Sequence, residues 1–387
     1  MSGSSGTVAR FRVVRQLGQG TRGAVQLAED TEHDNERVAI KYIPRGWCPA
    51  VERYITQEAL IHQHASRTRY PHIVQFHEVF LTTKYLAIVA EYVDGRDLVG
   101  FLQRSGGKLS EGNARFVFQQ LVIAADFLHR CGQAHGNIKP SNLLVQDTSA
   151  GPIVKLCGFT SHAQLLEDAR RNDGMRASAQ YMAPEVLAGG VYERNSADVW
   201  SCGMVLHLML FGVPAFLGLG GGPRGGAAVD AGRDALVGVA LLLPPDAEVT
   251  LPDAVDLLRR MAVADPTQRL RLRDVLVHPW FLKDLPAGAR SLNAAYLGPD
   301  ARTVEPRQLP EAIIATVRRA ATLHPSASEP IRRLSSGACV ADMSLGSSGS
   351  TDATSPAKRG DRGGARHGRT GGGDGGRRGG DGSGSGH

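Results

Sequence analysis

The stretch FRVVRQLGQGTRGAVQLAED at residues 11–30 constrains the fold most, because it alternates apolar residues around three closely spaced glycines. Alternation with a period of two is typical of β-strands, so the stretch predicts two strands joined by a glycine-rich loop. Gly18, Gly20 and Gly23 have no side chain, which lets backbone N–H groups approach a phosphate closely. Another strand-like run, VAIK at 38–41, follows, whereas a Rossmann-type turn would have a helix directly after the glycines.

The lysine that ends this run has a candidate acidic partner in the next segment. Lys41 lies in the third predicted strand, and Glu58 lies in RYITQEALIHQ (53–63), which we interpret as a helix. A carboxylate close to an ammonium group forms a charge-assisted hydrogen bond that orients both side chains. The order of glycine loop, strand lysine and helix glutamate resembles that of protein kinases, and this resemblance implies an ion pair between Lys41 and Glu58.

Five further motifs follow in an order that resembles eukaryotic protein kinases over roughly residues 11–285. They match the catalytic loop, the metal-binding triplet, the end of the activation segment, a central helix and the closing helices: HGNIKPSNLL (135–144), CGF (157–159), YMAPEVL (181–187), SADVWSCGMVL (196–206) and DPTQRLRLRDVLVHPWF (265–281). Details such as VAIKYIPRG (38–46) are most similar to plant sucrose-non-fermenting-related serine/threonine kinases activated by osmotic stress. The resemblance implies an α+β, two-lobed protein-kinase fold with a β-rich N-lobe and an α-rich C-lobe.

We expect three parts along the 387-residue chain. A kinase-like domain spans 11–285, with the N-lobe at about 11–92 and the C-lobe at about 93–285. A C-terminal extension spans 286–340, and a disordered Gly/Arg-rich tail spans 341–387. From Thr351 onward, 14 of the 37 residues are glycine and none is aromatic, so the tail cannot bury enough apolar area to offset its ordering entropy.

The extension contains a predicted amphipathic helix at about 309–322. Its apolar residues Leu309, Ile313, Val317 and Ala321 are spaced four apart, which brings them to one side of a helix. Three alternatives are open for this helix. It packs on the N-lobe, as a helix does in the stress-activated kinases that the chain resembles, it adds to the C-lobe, or it binds a partner.

The resemblance also implies, by position, which residues form the site. Catalytic positions fall on Lys41, Glu58, Asn137 and Lys139, and nucleotide-binding positions on Leu17, Gly18, Gly20, Gly23, Val25, Ala39, Lys41, Ala90, Glu91, Asn142 and Leu144. Positions that support the fold are His135 and Phe159 in a hydrophobic spine, Asp198 as an anchor of the catalytic loop, and Glu185 with Arg269 as a buried ion pair.

Two carboxylates that phosphoryl transfer uses in this family are missing. Asn137 stands where an aspartate accepts the substrate proton, and a positioned general base contributes typically 10²–10⁴-fold. Gly158 replaces the metal-binding aspartate, so Asn142 is the one metal ligand left at the usual positions. Mg²⁺ prefers carboxylate and phosphate oxygens, so its use is in doubt while ATP binding is expected. Cys157, a soft ligand unsuited to Mg²⁺, is interpreted as strand core.

Regulatory positions have changed as well. Gly136 replaces an arginine that can pair with a phosphate on the activation segment, and the usual phosphosites fall at Gly174 and Met175. The stretch 217–235, where a substrate-docking helix is expected, is rich in glycine. Two arginines before Ser335 make that serine a candidate target of other kinases, and Ser355 precedes a proline.

These observations favour a pseudokinase of the serine/threonine class that binds ATP and acts as a scaffold or allosteric regulator in stress-type signalling. The alternative is a slow serine/threonine kinase that uses Lys41, Lys139 and Asn142 with phosphate-held Mg²⁺. A third alternative is association with RNA through the basic tail, although nucleic acid is not the partner we expect. We expect a monomer whose partners are other signalling kinases or their substrates.

The cellular compartment is predicted from cysteine usage and from apolar runs. The five cysteines are scattered without a CxxC pair, which favours reduced thiols and argues against a zinc site. No uninterrupted apolar run of 18 residues occurs, and MSGSSGTVAR at the N-terminus has no apolar signal core. We therefore expect no membrane association and a location in the cytoplasm, the nucleus or both.

Overall fold

The alternating residues at the start of the chain form one edge of a five-stranded antiparallel sheet. In the computed structural model, the described residues are 10–20, 23–159, 176–189, 191–216 and 241–322. The strands lie in the order β1-β2-β3-β5-β4. Their bounds are β1 Phe11–Gly20, β2 Gly23–Asp30, β3 Glu36–Pro44, β4 Phe76–Leu81 and β5 Tyr85–Glu91. The predicted glycine hairpin is β1–β2, and Gly20 pairs with Gly23 at its end.

A single long helix, α1 (Pro49–Ala65), crosses between β3 and β4 and carries the predicted acidic partner. Pro49 occupies its first turn, where the missing backbone N–H costs no hydrogen bond. Its buried residues include Ile55, Glu58 and Ala59, which pack toward the sheet. The N-lobe is therefore the β-rich unit expected from the alternating pattern.

The rest of the kinase-like region is mainly helical around one large apolar core. Two nearly buried helices run through it, α3 (Glu111–Arg130) and α6 (Arg194–Phe211). Gly212 ends α6 in the left-handed conformation that favours glycine, with φ of 73°. The other elements are β6 Arg96–Asp97, α2 Leu98–Arg104, β7 Leu143–Thr148, β8 Gly151–Leu156, α4 Arg176–Ala179, α5 Pro184–Ala188, α7 Ala247–Thr250, α8 Pro252–Met261, α9 Leu272–Val275 and α10 Pro279–Leu282.

The extension after the kinase-like region returns along both lobes. Its helix α11 (Leu292–Leu297) is attached to the C-lobe by buried Asn293, which donates to Asp126 Oδ2 at 2.8 Å and accepts a hydrogen bond from the Tyr70 hydroxyl. Further along, Gln308 exchanges two hydrogen bonds with the backbone of Val79, at 2.9 and 3.1 Å. The extension therefore contacts the C-lobe first and then the N-lobe.

The helix of the extension, α12 (Pro310–Ala321), docks on the N-lobe, which is the first of the three alternatives above. Ile313, Val317 and Ala320 are buried against α1 and β4. Burial of a large aliphatic side chain contributes roughly 1.5–3 kcal/mol. The predicted face was wrong at its ends, because Leu309 precedes the helix and is 65% exposed and Ala320 takes the place assigned to Ala321. Residues spaced four apart rotate around the helix axis by about 40° per step. To stay on one face over three turns, the buried positions therefore need one spacing of three, which is the step from Val317 to Ala320.

Several sequence interpretations lie outside the described residues. These are the tail, Ser335 and Ser355, the positions Gly174 and Met175, and the glycine-rich stretch 217–235. Within the ranges that are described, no helix is both long and apolar enough to cross a membrane.

Candidate nucleotide-binding and catalytic site

The glycine hairpin β1–β2 lies beside β3, the strand that carries Lys41. A side chain on Gly23 would place its Cβ 1.6 Å from the backbone oxygen of Tyr42, so only glycine fits there. Gly18 pairs with Val25, and Val25 pairs in turn with Lys41 on β3. The register therefore places the loop glycines next to the strand that carries the lysine.

The apolar residues that the resemblance implies around an adenine ring are all half-buried. Ala39 is half-buried between Val38 and Ile40, both of which are fully inaccessible. Because side chains alternate across a strand, Ala39 faces away from the core behind the sheet. Ala39 also pairs with Ala90 on β5. The remaining half-buried residues of the proposed clamp are Leu17, Val25, Ala90 and Leu144.

The side chain of Glu91, a residue that the resemblance assigns to nucleotide binding, is bonded to other protein groups. Its carboxylate accepts a hydrogen bond from the backbone N–H of Gln75 at 3.1 Å and pairs with Lys155 at 2.7 Å. The side chain is therefore held by protein groups, and only the backbone of Glu91 is left for a nucleotide.

Lys41 and Glu58 are brought together as the sequence order predicts. Lys41 Nζ lies 2.8 Å from Glu58 Oε1, and the glutamate is buried while the lysine side chain is 29% exposed. A charge-assisted hydrogen bond at this distance fixes the position of the ammonium group. The pair holds the ammonium group of Lys41 on β3, whose neighbouring strand β2 belongs to the glycine hairpin.

On the C-lobe side of the site, two asparagine side chains donate hydrogen bonds to backbone carbonyl groups. Asn137 Nδ2 donates to the Gly158 carbonyl at 2.9 Å, and Asn142 Nδ2 donates to the Asn137 carbonyl at 2.8 Å. A Cβ added at Gly158 would lie 2.6 Å from Asn142 Oδ1. The Asn142 amide therefore fills the space that a side chain at position 158 would need.

The backbone of the catalytic loop is held by a buried carboxylate from α6. Asp198 accepts from the N–H groups of His135 and Gly136 at 2.8 and 2.9 Å, and His129 Nε2 lies 2.9 Å from the same carboxylate. Asp198 is completely inaccessible to solvent. This is the anchoring role that the resemblance implies, and it is independent of the lost catalytic groups.

Lys139 contacts the segment before α5. Its Nζ donates to Ser178 Oγ at 2.9 Å. Beyond that segment, Arg269 and Glu185 form the implied buried pair through two hydrogen bonds of 2.6 and 2.8 Å. The first turn of α5 is thus attached to Arg269, and the segment before α5 is attached to Lys139.

A column of aromatic rings joins the lobes, and sequence reasoning found only half of it. Phe159 stacks on His62 at 4.7 Å and contacts His135 at 4.8 Å, and His62 also meets Phe76 edge-on at 5.6 Å. His62 hydrogen bonds to the Val74 carbonyl at 2.6 Å. The signal for His62 was its position four residues after Glu58, which places both on one face of α1.

Cys157 is not a strand residue, which corrects its interpretation as strand core. It follows the end of β8, is half-buried, and donates its N–H to the Asn142 carbonyl at 2.9 Å. Desolvation raises the pKa of its thiol to about 12, so the thiol is neutral near pH 7. Among the described residues, no group of three or more His, Cys, Asp or Glu side chains is arranged to hold a metal ion.

The fold and the ordered site define a class of protein. The family described as a protein kinase domain matches residues 11–281, so the chain belongs to the protein kinase family. This confirms both the two-lobed fold and the family inferred from the motifs.

Its relatives are named serine/threonine-protein kinases from plants. SRK2E of Arabidopsis thaliana is 35% identical over 280 residues, which are 72% of this chain and 73% of that protein. SAPK3 of Oryza sativa subsp. japonica is 36% identical over 279 residues, covering 72% and 79%. SAPK6 of the same subspecies is 33% identical over 320 residues, covering 82% and 84%. These similarities confirm the resemblance to the stress-activated plant branch.

Proposed function

We propose that this protein is a nucleotide-binding pseudokinase that acts as a scaffold or allosteric regulator of signalling proteins. The single observation that supports this best is the closed amide network of Asn137, Asn142 and Gly158. An amide can orient a hydroxyl group, but it cannot accept the proton of a substrate as a carboxylate does. The site therefore retains the residues that would bind a nucleotide but lacks the carboxylates needed for efficient phosphoryl transfer.

ATP fits the groups that remain. The family implies the use of ATP and Mg²⁺. The glycine hairpin, the Lys41–Glu58 pair and the half-buried clamp residues supply close backbone approach, positive charge and apolar walls. Each of these interactions acts on phosphate or adenine directly and needs no metal ion.

Mg²⁺ does not fit the donor set at the same site. The segments 135–144 and 155–159 contain no carboxylate. Asn142 is the remaining candidate ligand, and it offers one neutral amide oxygen, because its nitrogen donates to the Asn137 carbonyl. Since Mg²⁺ is held in proteins chiefly by carboxylates together with substrate phosphates, nucleotide binding here should depend weakly on metal.

A thermal-shift titration with ATP tests this proposal. We expect ATP to raise the unfolding temperature of the full chain by nearly the same amount in EDTA as in Mg²⁺, because the protein adds no carboxylate to the metal site. Lys41→Met should reduce the shift in both conditions. Stabilisation that occurs only with Mg²⁺ would contradict the proposal and favour an active kinase.

A slow serine/threonine kinase is the second candidate, and specific contacts favour it. The Lys41–Glu58 pair is formed, Lys139 is bonded to Ser178, and the aromatic column that joins the lobes is assembled. Such a kinase would transfer the γ-phosphate of ATP without a strong base. Phosphate transfer to a basic peptide decides between the two, with Lys41→Met as the blank. Activity well above that blank would support the slow kinase.

We further propose that the partners are proteins, either other signalling kinases or their substrates, and that the chain works in the cytoplasm or nucleus as a monomer. The relatives named above are protein kinases, which supports protein partners. Four cysteines in the described part are free thiols, which agrees with a reducing compartment. Light scattering and localisation of a tagged full chain test these two expectations.

A further inference from the structure

A cavity of about 410 Å³ lies behind β4 and β5, where the extension passes over the N-lobe. The backbone N–H of Val304 donates to the Arg67 carbonyl at 2.6 Å, which fixes the extension over this cavity. Glu91 and Lys155, paired at 2.7 Å, contribute to its lining. We call this space the rear cavity; neither the motifs nor the proposed nucleotide site accounts for it.

The charges around the rear cavity do not cancel. Lys155 is neutralised by Glu91, and Arg307 pairs with Glu36 at 2.5 Å. Arg67 and Arg69 also line the cavity, and within the described ranges neither guanidinium forms an ion pair. One further carboxylate in the lining, that of Glu305, opposes them. The lining therefore has a net positive charge of one, because seven charged side chains contribute four positive and three negative charges.

The second, independent observation is a buried ring nitrogen without a partner. His77 lines the same cavity and is 7% exposed, and its Nδ1 has no hydrogen-bond partner in the described part of the chain. Burial, with a contribution from Arg307, lowers the pKa of His77 to about 4, so the ring is neutral near pH 7. A neutral imidazole with its proton on Nδ1 can donate one hydrogen bond to an anionic oxygen. A buried donor of this kind is normally satisfied by water, an ion or a ligand, so it leaves a hydrogen bond available to an anion in the cavity.

We propose that the rear cavity binds a phosphomonoester group, with Arg67, Arg69 and His77 as its donors. Guanidinium groups match phosphate through paired N–H donors, and two such groups offset the double negative charge of the ligand. The volume admits a small phosphorylated molecule or one phosphorylated side chain. The end of α1, β4 and the extension form most of this site, and Glu91 contributes its side chain to it, whereas only the backbone of Glu91 is left for the nucleotide slot.

Binding to the full chain is measured by thermal shift and by broadening of the ³¹P resonance, at constant ionic strength and without nucleotide. The probes are inorganic phosphate and O-phosphoserine, with serine as the uncharged control. A capped Gly-phosphoserine-Gly peptide distinguishes a phosphorylated protein from a free small molecule as the source. We expect both phosphate probes to bind and serine not to bind.

Variants separate the rear cavity from the nucleotide site. Arg67→Gln with Arg69→Gln should weaken binding by about tenfold or more, because both charge-assisted donors are lost. Arg271→Gln with Arg273→Gln is the matched control, since it removes two exposed arginines at the same spacing on the C-lobe. Glu305→Gln should tighten binding on the order of threefold by removing the opposing charge.

Lys41→Met decides where the anion is bound. Retained phosphate binding in Lys41→Met, together with its loss in the Arg67/Arg69 double variant, supports the rear cavity. Equal binding by the double variant and the wild type would overturn the proposal. Loss of binding in Lys41→Met alone would overturn it as well, since the phosphate would then occupy the nucleotide slot.

Discussion

The N-lobe side of the nucleotide site keeps its charged groups, whereas the C-lobe side presents amides and backbone. Lys41 and Glu58 remain paired at 2.8 Å across β3 and α1. Facing them, Asn137 and Asn142 are bonded to carbonyls of their own neighbourhood. The carboxylate that anchors the catalytic loop, Asp198, is nevertheless present and inaccessible to solvent.

This difference separates the groups that hold the fold from the groups that perform transfer. Asp198, the Glu185–Arg269 pair and the aromatic column make their contacts with protein. A general base and a metal ligand make theirs with substrate and metal, so their loss leaves no buried partner unsatisfied. The fold can therefore persist after the C-lobe carboxylates are replaced, because selection on stability does not retain them.

Restoring the two carboxylates on the C-lobe side should have the largest effect on the rate of phosphate transfer. It would also remove the difference between the charged N-lobe side and the uncharged C-lobe side of the site. Asn137→Asp with Gly158→Asp should raise phosphate transfer by about 10²–10⁴-fold over wild type, while each single change gives little, because base and metal ligand act as a unit. Gly158 has a φ of +75°, and Asn142 must move to admit a side chain, so the double variant also loses stability. Peptide phosphorylation measures the rate.

The matched control for this restoration is Asn137→Asp with Gly158→Asn, which has nearly the same size but no carboxylate at position 158. We expect it to behave like Asn137→Asp alone. If either single carboxylate restored most of the rate, the two positions would not form a unit and the asymmetry would have a simpler origin.

Removing a contact that stabilises the fold, such as the Glu185–Arg269 pair, should lower the free energy of unfolding and leave phosphate transfer unchanged. Glu185→Ala leaves the inaccessible guanidinium of Arg269 without its charge partner, and loss of one partner of a buried pair costs about 3–5 kcal/mol. Glu248→Ala is the matched control, since its pair with Arg259 is more than half exposed and is expected to contribute below about 1 kcal/mol. Urea unfolding compares the two. A similar loss in both variants would show that the C-lobe pair is not part of the frame.

The buried His62 in the aromatic column should make the free energy of unfolding depend on pH. Burial lowers the pKa of His62 from 6.5 to about 4, so below about pH 6.5 the unfolded chain binds a proton that the folded chain rejects. The free energy of unfolding therefore decreases as the pH falls toward 4, by about 1.4 kcal/mol per pH unit and about 3 kcal/mol in all. Replacing His62 with Phe should remove this part of the slope, measured by urea unfolding between pH 7 and pH 4.

A control within the same column separates titration from packing. Phe76→Leu removes a ring contact but no titratable group. It should lower stability at every pH and leave the slope unchanged. An unaltered slope in His62→Phe would mean that His62 does not produce the acid sensitivity.

The smallest effect concerns the shape of the slot at Ala90. Ala90 pairs with Ala39 and with Phe76 on the flanking strands, and its small side chain should admit ligands with a large hydrophobic substituent at the back of the adenine position. Ala90→Met should weaken such a ligand by about tenfold and leave the unsubstituted parent unaffected. Calorimetry with both ligands measures this, and equal affinities in both forms would exclude a pocket behind Ala90.

Local sequence determined the fold and the losses at the site. The period-two pattern, the three glycines, and the order of motifs depend on residues that are close together in the chain. The pairing of Lys41 with Glu58, and the absence of carboxylates at Asn137 and Gly158, followed instead from the resemblance of the motifs to protein kinases. The strands and helices themselves are visible in the sequence because their periodicity acts over a few residues.

Only the tertiary structure decided where side chains from distant segments meet. The turn of the Asn142 amide into the space beside Gly158, and the stacking of His62 on Phe159, join residues far apart in sequence. The same holds for the face of α12, where Ala320 rather than Ala321 is buried, and for the cavity closed by Val304. Packing selects one arrangement among several that share the same local pattern, because it depends on the shape and polarity of the opposing surface.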